Sequence, residues 1–506
     1  MTLIGSIIRR AASRSGDRAA IITPAGWTVS FNDLDRWSDE VAGTFVRRGV
    51  TAGDPVVISL ASGPEYAVTY LALAKLGAIT AGVNPLLTTT ERSSLIDISG
   101  ARLVVTTSES VEHLPHEVDA VVVRPATRPD DVMADHRVEG HVPAPIPEDD
   151  DRVVAIVFTS GTTGVPKGAT FGERQLRAVL ASELADPWAA DGHILSGTQF
   201  AHVGFMLRLH TYLEMNTTLC LMDRWRAADA LELIERYAMP AVNGVSSQIA
   251  LMLQVPEFAT YDLSSVRRIV TGGGPSTPDL VDEATRRFAA PYTTRYSMTE
   301  SGGMGTATSI DASDEERYHT VGRPRTGLEL RIGRHDDPTG IGDVGEVCVR
   351  GPSVMTGYWG DPAATENTIV DGWLHTGDLG RIDDQGCLRL AGRSKEMYIR
   401  GGYNVYPQEV EAVLNSHPGV RSVVVVPRPD AVMGEIGVAV IVPSTVGSLP
   451  TLDELRRFGA ERLTHFKLPE ALRLTDALPV TSMQKVDRRA LLDDVSDPSG
   501  DAERLR

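Results

Sequence analysis

The chain of 506 residues has few cysteines, no surplus of basic residues and no long hydrophobic run. Its three cysteines, Cys220, Cys348 and Cys387, are widely spaced, which excludes a disulfide scaffold and a CxxC metal site and favours a reducing compartment. The 49 Lys and Arg residues against 67 Asp and Glu give a net charge of −18. A nucleic-acid-binding protein normally carries a basic surface, so this class is excluded.

The most apolar stretch, residues 67–83, contains Lys75 and is shorter than the roughly 20 residues that span a bilayer. The N-terminal apolar run is too short for a secretory signal, and its arginines follow the run instead of preceding it. We therefore expect a cytoplasmic protein without an integral membrane segment, in which residues 67–83 form a buried helix and strand.

Helical and strand patterns alternate through the first part of the chain, which favours layered α/β structure with parallel strands. The patterns predict these elements: helix 31–49, strand 55–60, helix 64–76, strand 101–106, strand 153–158, helix 229–237, strand 268–271 and helix 279–288. Short β segments follow from residue 345, and a strand–helix–strand pattern follows residue 393. The last segment, residues 493–506, is polar, and we expect it to be frayed.

The strand at 153–158 leads into the loop FTSGTTGVPKG, residues 158–168. Its small residues let backbone N–H groups surround an anion, its hydroxyls add donors, and its lysine adds a positive charge. The spacing differs from the GxxxxGK[ST] of a P-loop, and an ordinary Gly/Thr turn is the alternative. The predicted phosphate-binding residues are Thr159, Ser160, Gly161, Thr162, Thr163, Gly164 and Lys167.

This loop resembles the signature of the adenylate-forming (AMP-binding) superfamily, which includes acyl-CoA synthetases, peptide-synthetase adenylation domains and luciferases. The resemblance continues from YLALAKLGAI near residue 70 to LPVTSMQKVDRRAL near residue 480. The sequence pattern is similar to that of bacterial acyl-CoA synthetases. It implies an α/β fold with a large N-terminal body (two layered sheets plus a β-rich subdomain), residues 1–393. It also implies a small mobile α+β domain, residues 394–506, and the use of ATP, Mg²⁺ and CoA.

The TGGGP turn at residues 271–275 places Gly272, Gly273 and Gly274 after a strand. Glycines there let a flat group approach the backbone, and the resemblance implies that this group is adenine. Taken alone, three glycines are a weak signal and usually form only a turn.

The segment RYSMTES, residues 295–301, combines an aromatic ring, a hydroxyl and a carboxylate. Tyr296 offers a ring for stacking on adenine, Thr299 can donate to the α-phosphate, and Glu300 offers the oxygen ligands that Mg²⁺ prefers. Ser297 stands where many relatives have glycine, which implies a changed pocket wall. In isolation the segment would be interpreted as a solvated loop.

Five further residues between positions 372 and 411 are assigned by the resemblance. In GWLHTGDL, Asp378 matches the carboxylate that accepts both ribose hydroxyls, and the alternative is an aspartate that only closes a turn. In GRSKEMYIRGG, Arg393 matches the residue that contacts ribose or phosphate. Lys395 matches the hinge, and Gly401 and Gly402 match a wall of the pantetheine tunnel.

Lys485 matches the lysine that the family uses for adenylation, although Gln484 replaces the usual glycine before it. Outside its motif, such a lysine would be interpreted as solvated surface. His202, in QFAHVGFM, matches the family's gate to the acid pocket, and a satisfied core histidine is the alternative.

Together these groups predict a two-step ligase. A carboxylate attacks the α-phosphate of ATP, with donors and cations stabilising the charge, and a thiol then displaces AMP after the small domain rotates. No acidic residue lies within FAHVGFM, which disfavours an α-amino acid, and the neighbouring apolar segments predict a mainly apolar acid pocket.

Three classes of protein remain open: an acid–CoA ligase, an adenylate-forming enzyme with another acceptor (a carrier-protein thiol, an amine or a nitrite-type nucleophile), and a non-catalytic relative. The expected partners are a small carboxylic acid, ATP and CoA, with no nucleic acid. The oligomeric state is left open, with a homodimer as one option.

Overall fold

The computed structural model describes residues 2–112, 114, 117–159, 166–186, 192–197, 199–274, 276–333, 343–393, 396–400, 403–430, 432–444, 449–481 and 485–504. Its α-helices are α1 (Leu3–Ser15), α2 (Phe31–Arg47), α3 (Pro64–Leu76), α4 (Thr89–Ser99), α5 (Ser108–Val111), α6 (Glu173–Ala185), α7 (Val203–Met206), α8 (Leu209–Glu214), α9 (Ala227–Arg236), α10 (Ser246–Leu253), α11 (Pro278–Phe288), α12 (Asp314–His319), α13 (Pro362–Thr368), α14 (Pro407–Leu414), α15 (Leu452–Ala460) and α16 (Arg488–Val495).

The strands run, in chain order, β1 (Ala19–Ile22), β2 (Thr28–Ser30), β3 (Pro55–Ser59), β4 (Ile79–Gly82), β5 (Leu103–Thr107), β6 (Asp119–Val123), β7 (Val153–Thr159), β8 (Lys167–Gly172), β9 (His193–Ser196), β10 (Thr218–Leu221), β11 (Ala241–Gly244), β12 (Arg268–Gly272), β13 (Tyr292–Ser297), β14 (Gly305–Ala307), β15 (Arg323–Pro324), β16 (Glu329–Ile332), β17 (Gly345–Arg350), β18 (Gly357–Tyr358), β19 (Ile369–Val370), β20 (Trp373–Ile382), β21 (Leu388–Arg393), β22 (Tyr398–Arg400), β23 (Tyr403–Val405), β24 (Val420–Asp430), β25 (Gly434–Pro443), β26 (Ala471–Leu474) and β27 (Glu503–Arg504).

The predicted α/β fold is confirmed, and element boundaries follow local chemistry. Helix α2 begins where the Ser30 hydroxyl accepts the Asp33 amide and the Asp33 carboxylate accepts the Ser30 amide, a reciprocal cap. Helix α3 coincides with the predicted range 64–76, beginning with proline and ending at Gly77 in the left-handed conformation. Helix α15 ends at Ala460, with Glu461 as its C-cap residue.

A seven-stranded sheet in the order β18-β8-β7-β4-β3-β5-β6 forms one layer of the body. Strands β7, β4, β3, β5 and β6 are parallel, while β8 and β18 are antiparallel to their neighbours. Strand β3 is continuously apolar because both faces of a parallel sheet are covered. The prediction that residues 67–83 are a buried helix and strand is confirmed in α3 and β4.

A second layer contains the sheets β2-β1-β10-β9 and β11-β12-β13-β14-β15. Strands β11, β12 and β13 are parallel, and Gly272 at the end of β12 is paired with Arg295 in β13. The carboxyl ends of these strands therefore meet at one edge, where open α/β sheets commonly bind ligands. This register brings the glycine turn next to the 295–301 segment.

The β-rich part that follows is the sheet β16-β17-β20-β19, with β21 paired to β20. The C-terminal sheet has the order β23-β22-β25-β26-β27, with β24 paired to β25, and its buried residues form clusters separate from those of the body. The domain boundary between 393 and 394 remains a prediction, because residues 394–395 lie outside the described part of the chain.

The expectation of a frayed tail over 493–506 is wrong for its described residues. Helix α16 continues to Val495, and Glu503–Arg504 pairs with β26. The side chain of Asp501 is only 5% exposed, and its carboxylate accepts from Arg428 at 2.9 Å and Arg473 at 3.4 Å. Two buried guanidinium groups require a nearby anion, so this polar segment is held in place.

Among the described residues, no helix combines the length and the apolar character needed to cross a bilayer.

Candidate active site

The glycine turn at the end of β12 lies against both the body and the C-terminal region. A Cβ on Gly272 would lie 3.0 Å from the Arg295 carbonyl oxygen, so a side chain there would require the backbone of β13 to shift. Gly273 has φ +77°, a conformation that favours glycine. A Cβ on Gly273 would lie 3.6 Å from Lys485 Nζ, whereas Gly274 faces open space.

Tyr296 and Asp378, predicted to hold adenine and ribose, are brought together. The Tyr296 hydroxyl donates to Asp378 Oδ2 at 2.6 Å, and the Asp378 side chain is buried. Arg393 is the β-sheet partner of Asp378 across β20 and β21, so its backbone is adjacent. Ser297, the next residue after Tyr296, is exposed and pairs with Gly305.

Glu300 is buried in the turn after β13, one residue after Thr299. Its Oε1 accepts the Tyr358 hydroxyl at 3.0 Å, and Lys167 Nζ lies 4.8 Å from the centre of the Tyr358 ring. Burial and the neighbouring Glu300 carboxylate raise the pKa of Tyr358, so the phenol remains a neutral donor. Tyr358 therefore connects the predicted metal-binding residue to the lysine of the phosphate loop.

Backbone pairing fixes this group of residues in space. Strand β18, which contains Tyr358, pairs with β8, which begins at Lys167, and the Met355 amide donates to the Glu300 carbonyl at 2.8 Å. Thr159 ends β7, and its buried hydroxyl oxygen has no hydrogen-bond partner among the described residues. An orphaned hydroxyl at this point fits the predicted phosphate site, because buried polar groups normally have partners.

Several predicted residues cannot be placed. Of the phosphate loop, Ser160, Gly161, Thr162, Thr163 and Gly164 lie outside the described residues, as do Lys395, Gly401 and Gly402. The side chain of Arg393 also lies outside the description. Their assigned roles stay predictions.

His202 caps the short helix α7 and lies in the same region as Lys485. Burial, together with the smaller effect of the positive charge of Lys485, lowers the pKa of His202 to about 4. The imidazole is therefore neutral at pH 7. Asn84 Nδ2 lies 3.4 Å from His202 Nε2, and Asn84 Oδ1 accepts the Leu86 amide. The amide of Asn84 therefore presents its donor to Nε2.

A buried ion cluster supports the segment that carries Tyr296. Glu183 Oε1 lies 3.3 Å from Arg208, 3.4 Å from Arg295 and 2.9 Å from Arg325. Burial alone would raise the pKa of Glu183, but the three guanidinium groups outweigh burial and hold it below its usual range. Burial lowers the pKa of Arg295 to about 10 despite Glu183. This cluster anchors β13 directly behind Tyr296.

Tyr358 and Asn84 contact predicted site residues but were not found from the sequence. Tyr358 belongs to GYWG at 357–360, and Asn84 to VNP at 83–85. Both segments combine a strand end with a Gly or Pro turn, which is the available signal for residues at a sheet edge.

The chain was compared with known proteins. Residues 8–359 match the family model "AMP-binding enzyme", and residues 409–485 match "AMP-binding enzyme C-terminal domain". A fatty acid–[acyl-carrier-protein] ligase, ScoC, from Streptomyces coeruleorubidus is 32% identical, with 93% of each chain covered. A feruloyl-CoA synthase from an Amycolatopsis species is 31% identical, covering 95% of this chain and 96% of the relative.

Among solved structures, ATP-bound MatB from Rhodopseudomonas palustris has a TM-score of 0.87 at 26% identity, covering 98% of this chain and 100% of that one. Sequence and structure thus agree over nearly the full length. The chain belongs to the AMP-binding enzyme family of adenylate-forming enzymes, and it is an acid–thiol ligase of the acyl-CoA synthetase type.

Proposed function

We propose that this enzyme is an ATP-dependent carboxylic acid–CoA ligase that forms an acyl-adenylate and then an acyl-CoA. The observation that carries the proposal is the position of Lys485. Its Nζ would lie 3.6 Å from a Cβ on Gly273, and its charge acts on His202. A C-terminal cation thus lies between the predicted adenine turn and the predicted acid gate, where the carboxylate and the α-phosphate would react.

In the first half-reaction, a carboxylate oxygen attacks the α-phosphorus and pyrophosphate leaves. Lys485 and Thr299 stabilise the charge that develops on the phosphoryl oxygens, while Tyr296 and Asp378 hold the nucleoside. Catalysis of this kind depends mainly on positioning and electrostatic stabilisation. The neutral imidazole of His202 adds no second positive charge beside Lys485.

Two observations support the sites for ATP and Mg²⁺. The Thr159 hydroxyl is buried without a partner among the described residues, which fits a phosphate oxygen. Glu300 is buried and, within the described chain, accepts from the neutral Tyr358 hydroxyl and forms no ion pair with Lys or Arg. Such a carboxylate fits a hard cation, and Mg²⁺ held there would neutralise phosphate charge.

In the second half-reaction, a thiolate attacks the carbonyl carbon of the adenylate. The C–S bond forms as the C–O bond to AMP breaks, and AMP leaves with the electron pair. We propose that a C-terminal domain beginning at residue 394 rotates about Lys395 between the two steps. Lys485 then withdraws, and Gly401 and Gly402 line the path of the incoming thiol.

A carrier-protein thiol is the second candidate acceptor, because ScoC is by name a fatty acid–[acyl-carrier-protein] ligase and is 32% identical. CoA and a carrier protein present the same pantetheine thiol, so the chemistry of the second step is the same.

The test is a panel of fatty acids and hydroxycinnamic acids, the two acid classes in the names of the relatives. Each acid is assayed for pyrophosphate release and for thioester formation, with CoA, with a pantetheinylated carrier protein, or with an amine. We expect an acyl-CoA product detected by mass spectrometry. Pyrophosphate release with product only on the carrier protein or the amine would contradict the CoA assignment, and no pyrophosphate release with any acid would contradict adenylation.

A further inference from the structure

Asp378 lies in a bulge of β20 where regular pairing with β17 is interrupted, although Asp378 itself pairs with Arg393 of β21 on the other side. His375 pairs with Cys348 and Leu379 pairs with Glu346, so three residues of β20, 376–378, oppose Val347 alone. Gly377 in this bulge has φ +72°. A bulge re-aims a side chain but interrupts the ladder, so other bonds must hold it.

The side chain of Glu346 supplies two of those bonds, one on each side of Thr376. Its Oε1 accepts the Gly377 amide at 3.0 Å, and its Oε2 lies 2.8 Å from His375 Nδ1. An ionised carboxylate only accepts hydrogen bonds, so Nδ1 must carry the proton and donate. Thr376 completes the set, donating to the Val347 carbonyl at 2.7 Å and accepting the Asp378 amide at 3.1 Å.

Glu346, His375 and Cys348 are also residues of the type that bind metal ions, and their ligand atoms lie within 4.8 Å of one another. Two features favour a hydrogen-bonded group over a metal centre. Arg331 is the cross-strand neighbour of Cys348, so a cation is already present there. Burial, together with the smaller effect of the Glu346 carboxylate, raises the pKa of the Cys348 thiol to about 11, so the thiol is protonated at neutral pH.

We propose that Glu346, together with His375, is a positioning residue that sets the bulge so that the Asp378 carboxylate faces the ribose of ATP. Glu346 touches neither nucleotide nor acid and acts through the backbone at Gly377. The inference rests on the proposed function, because it assumes that Asp378 reads the ribose hydroxyls.

The measurement is the affinity of the full chain for ATP and for 2′-deoxy-ATP, by calorimetry, beside a thermal melt. In the wild type, a bond from the 2′-hydroxyl to a carboxylate predicts an ATP preference of about 10- to 150-fold. In Glu346→Gln, the amide oxygen can accept a hydrogen bond from either the Gly377 amide or His375 Nδ1. The NH₂ group then faces the other of these two donors and cannot accept from it. We expect the ATP preference to fall by about 5- to 30-fold, with affinity for 2′-deoxy-ATP changed less.

A conservative variant separates positioning from bulk structure. In His375→Asn, the amide Nδ2 stands near the place of the imidazole Nδ1 and can donate to Glu346, so we expect the ATP preference to be retained. His375→Leu removes the donor and should lower the preference as Glu346→Gln does. The matched control is Glu329→Gln, on the neighbouring strand β16, where the carboxylate is 60% exposed and pairs with Arg350; it should change nothing.

The outcomes distinguish a failure of the positioning role of Glu346 from a failure of the ribose contact of Asp378. Equal losses of ATP and 2′-deoxy-ATP affinity in Glu346→Gln, with a lowered melting temperature, would show a merely structural role and overturn the inference. If Asp378→Ala abolishes the ATP preference but Glu346→Gln keeps it, the positioning role alone is wrong. If Asp378→Ala keeps the preference, Asp378 does not read the ribose, and that part of the proposed function fails as well.

Discussion

The predicted nucleotide side of the body and the segment that carries Lys485 are built in opposite ways. Asp378 and Glu300 are 7% and 9% exposed, and each accepts a tyrosine hydroxyl. Lys485 is exposed, and its position is fixed by the Val480–Val486 bridge and by a 2.7 Å bond from the Thr481 amide to the Lys485 carbonyl. Its side chain reaches the glycine turn from outside the body.

This difference indicates which parts of the site are permanent. The buried carboxylates are held in position before ATP binds, so little reorganisation is needed during the reaction. A cation on an exposed segment can be withdrawn without exposing a buried charge. In the proposed mechanism, the same body then serves adenylation and thioester formation in turn. This requires that the C-terminal region keeps its own fold while it rotates.

The largest expected effect concerns the independent fold of the C-terminal region. Asp501→Ala removes the anion between Arg428 and Arg473, whose side chains are only 3% and 8% exposed. Losing one partner of a buried ion pair costs about 3–5 kcal/mol because an uncompensated charge remains. We expect a lowered unfolding transition of the C-terminal region, with nucleotide binding to the body retained. Asp493→Ala, at an exposed position of α16, is the control, and an unchanged melt of Asp501→Ala would restore the frayed interpretation of the tail.

The next effect concerns the exposed lysine itself. Lys485→Ala should lower the rate of pyrophosphate release by roughly 10²–10³, the cost of one lost transition-state contact of about 3–4 kcal/mol. Lys467→Ala is the control, because Lys467 is in the same region but pairs with Glu409. A near-wild-type rate in Lys485→Ala would mean that the contact with the glycine turn has no catalytic role.

A smaller effect, on ATP affinity, is expected from the buried carboxylate of Asp378. Asp378→Ala should weaken ATP binding by about 1.5–3 kcal/mol for each lost charge-assisted bond, or roughly 10- to 150-fold, without a large change in melting temperature. Calorimetry with ATP measures this loss, and Asp384→Ala, exposed in the turn after β20, serves as the control. Unchanged affinity would return Asp378 to the role of a turn-closing aspartate.

The smallest effect isolates one hydroxyl. Tyr296→Phe keeps the ring but loses the 2.6 Å bond to Asp378, so ATP affinity should fall by about 1 kcal/mol, roughly fivefold. Tyr318→Phe is a matched control, because Tyr318 also donates to a carboxylate, that of Asp282, away from the site. Equal effects of the two variants would show that the Tyr296–Asp378 bond acts on folding alone.

Local features of the sequence predicted much of the fold. Helix α3 and strand β12 are close to their predicted ranges because their boundaries depend on nearby proline and glycine residues and on short apolar runs. The adjacency of the glycine turn and Tyr296 also follows from two successive parallel strands. Both depend on short stretches of chain.

Contacts between distant residues were not predictable. Tyr358 reaches Glu300 across 58 residues because β18 pairs with β8, a register that no local pattern encodes. The prediction that the polar tail is frayed was wrong because the Asp501 carboxylate accepts a hydrogen bond from Arg428, 73 residues earlier in the chain. A polar segment with buried partners has the same composition as a frayed one, so composition alone cannot separate them.

In the proposed mechanism, Lys485 serves adenylation and not the transfer of the acyl group to the thiol. The most direct measurement supplies purified acyl-AMP and CoA to Lys485→Ala and to the wild type, and times thioester formation in a single turnover. We expect equal rates for the two proteins, although Lys485→Ala is slow with ATP. An equal fall in both half-reactions would contradict this mechanism, because the lysine would then act throughout and no withdrawal would be needed.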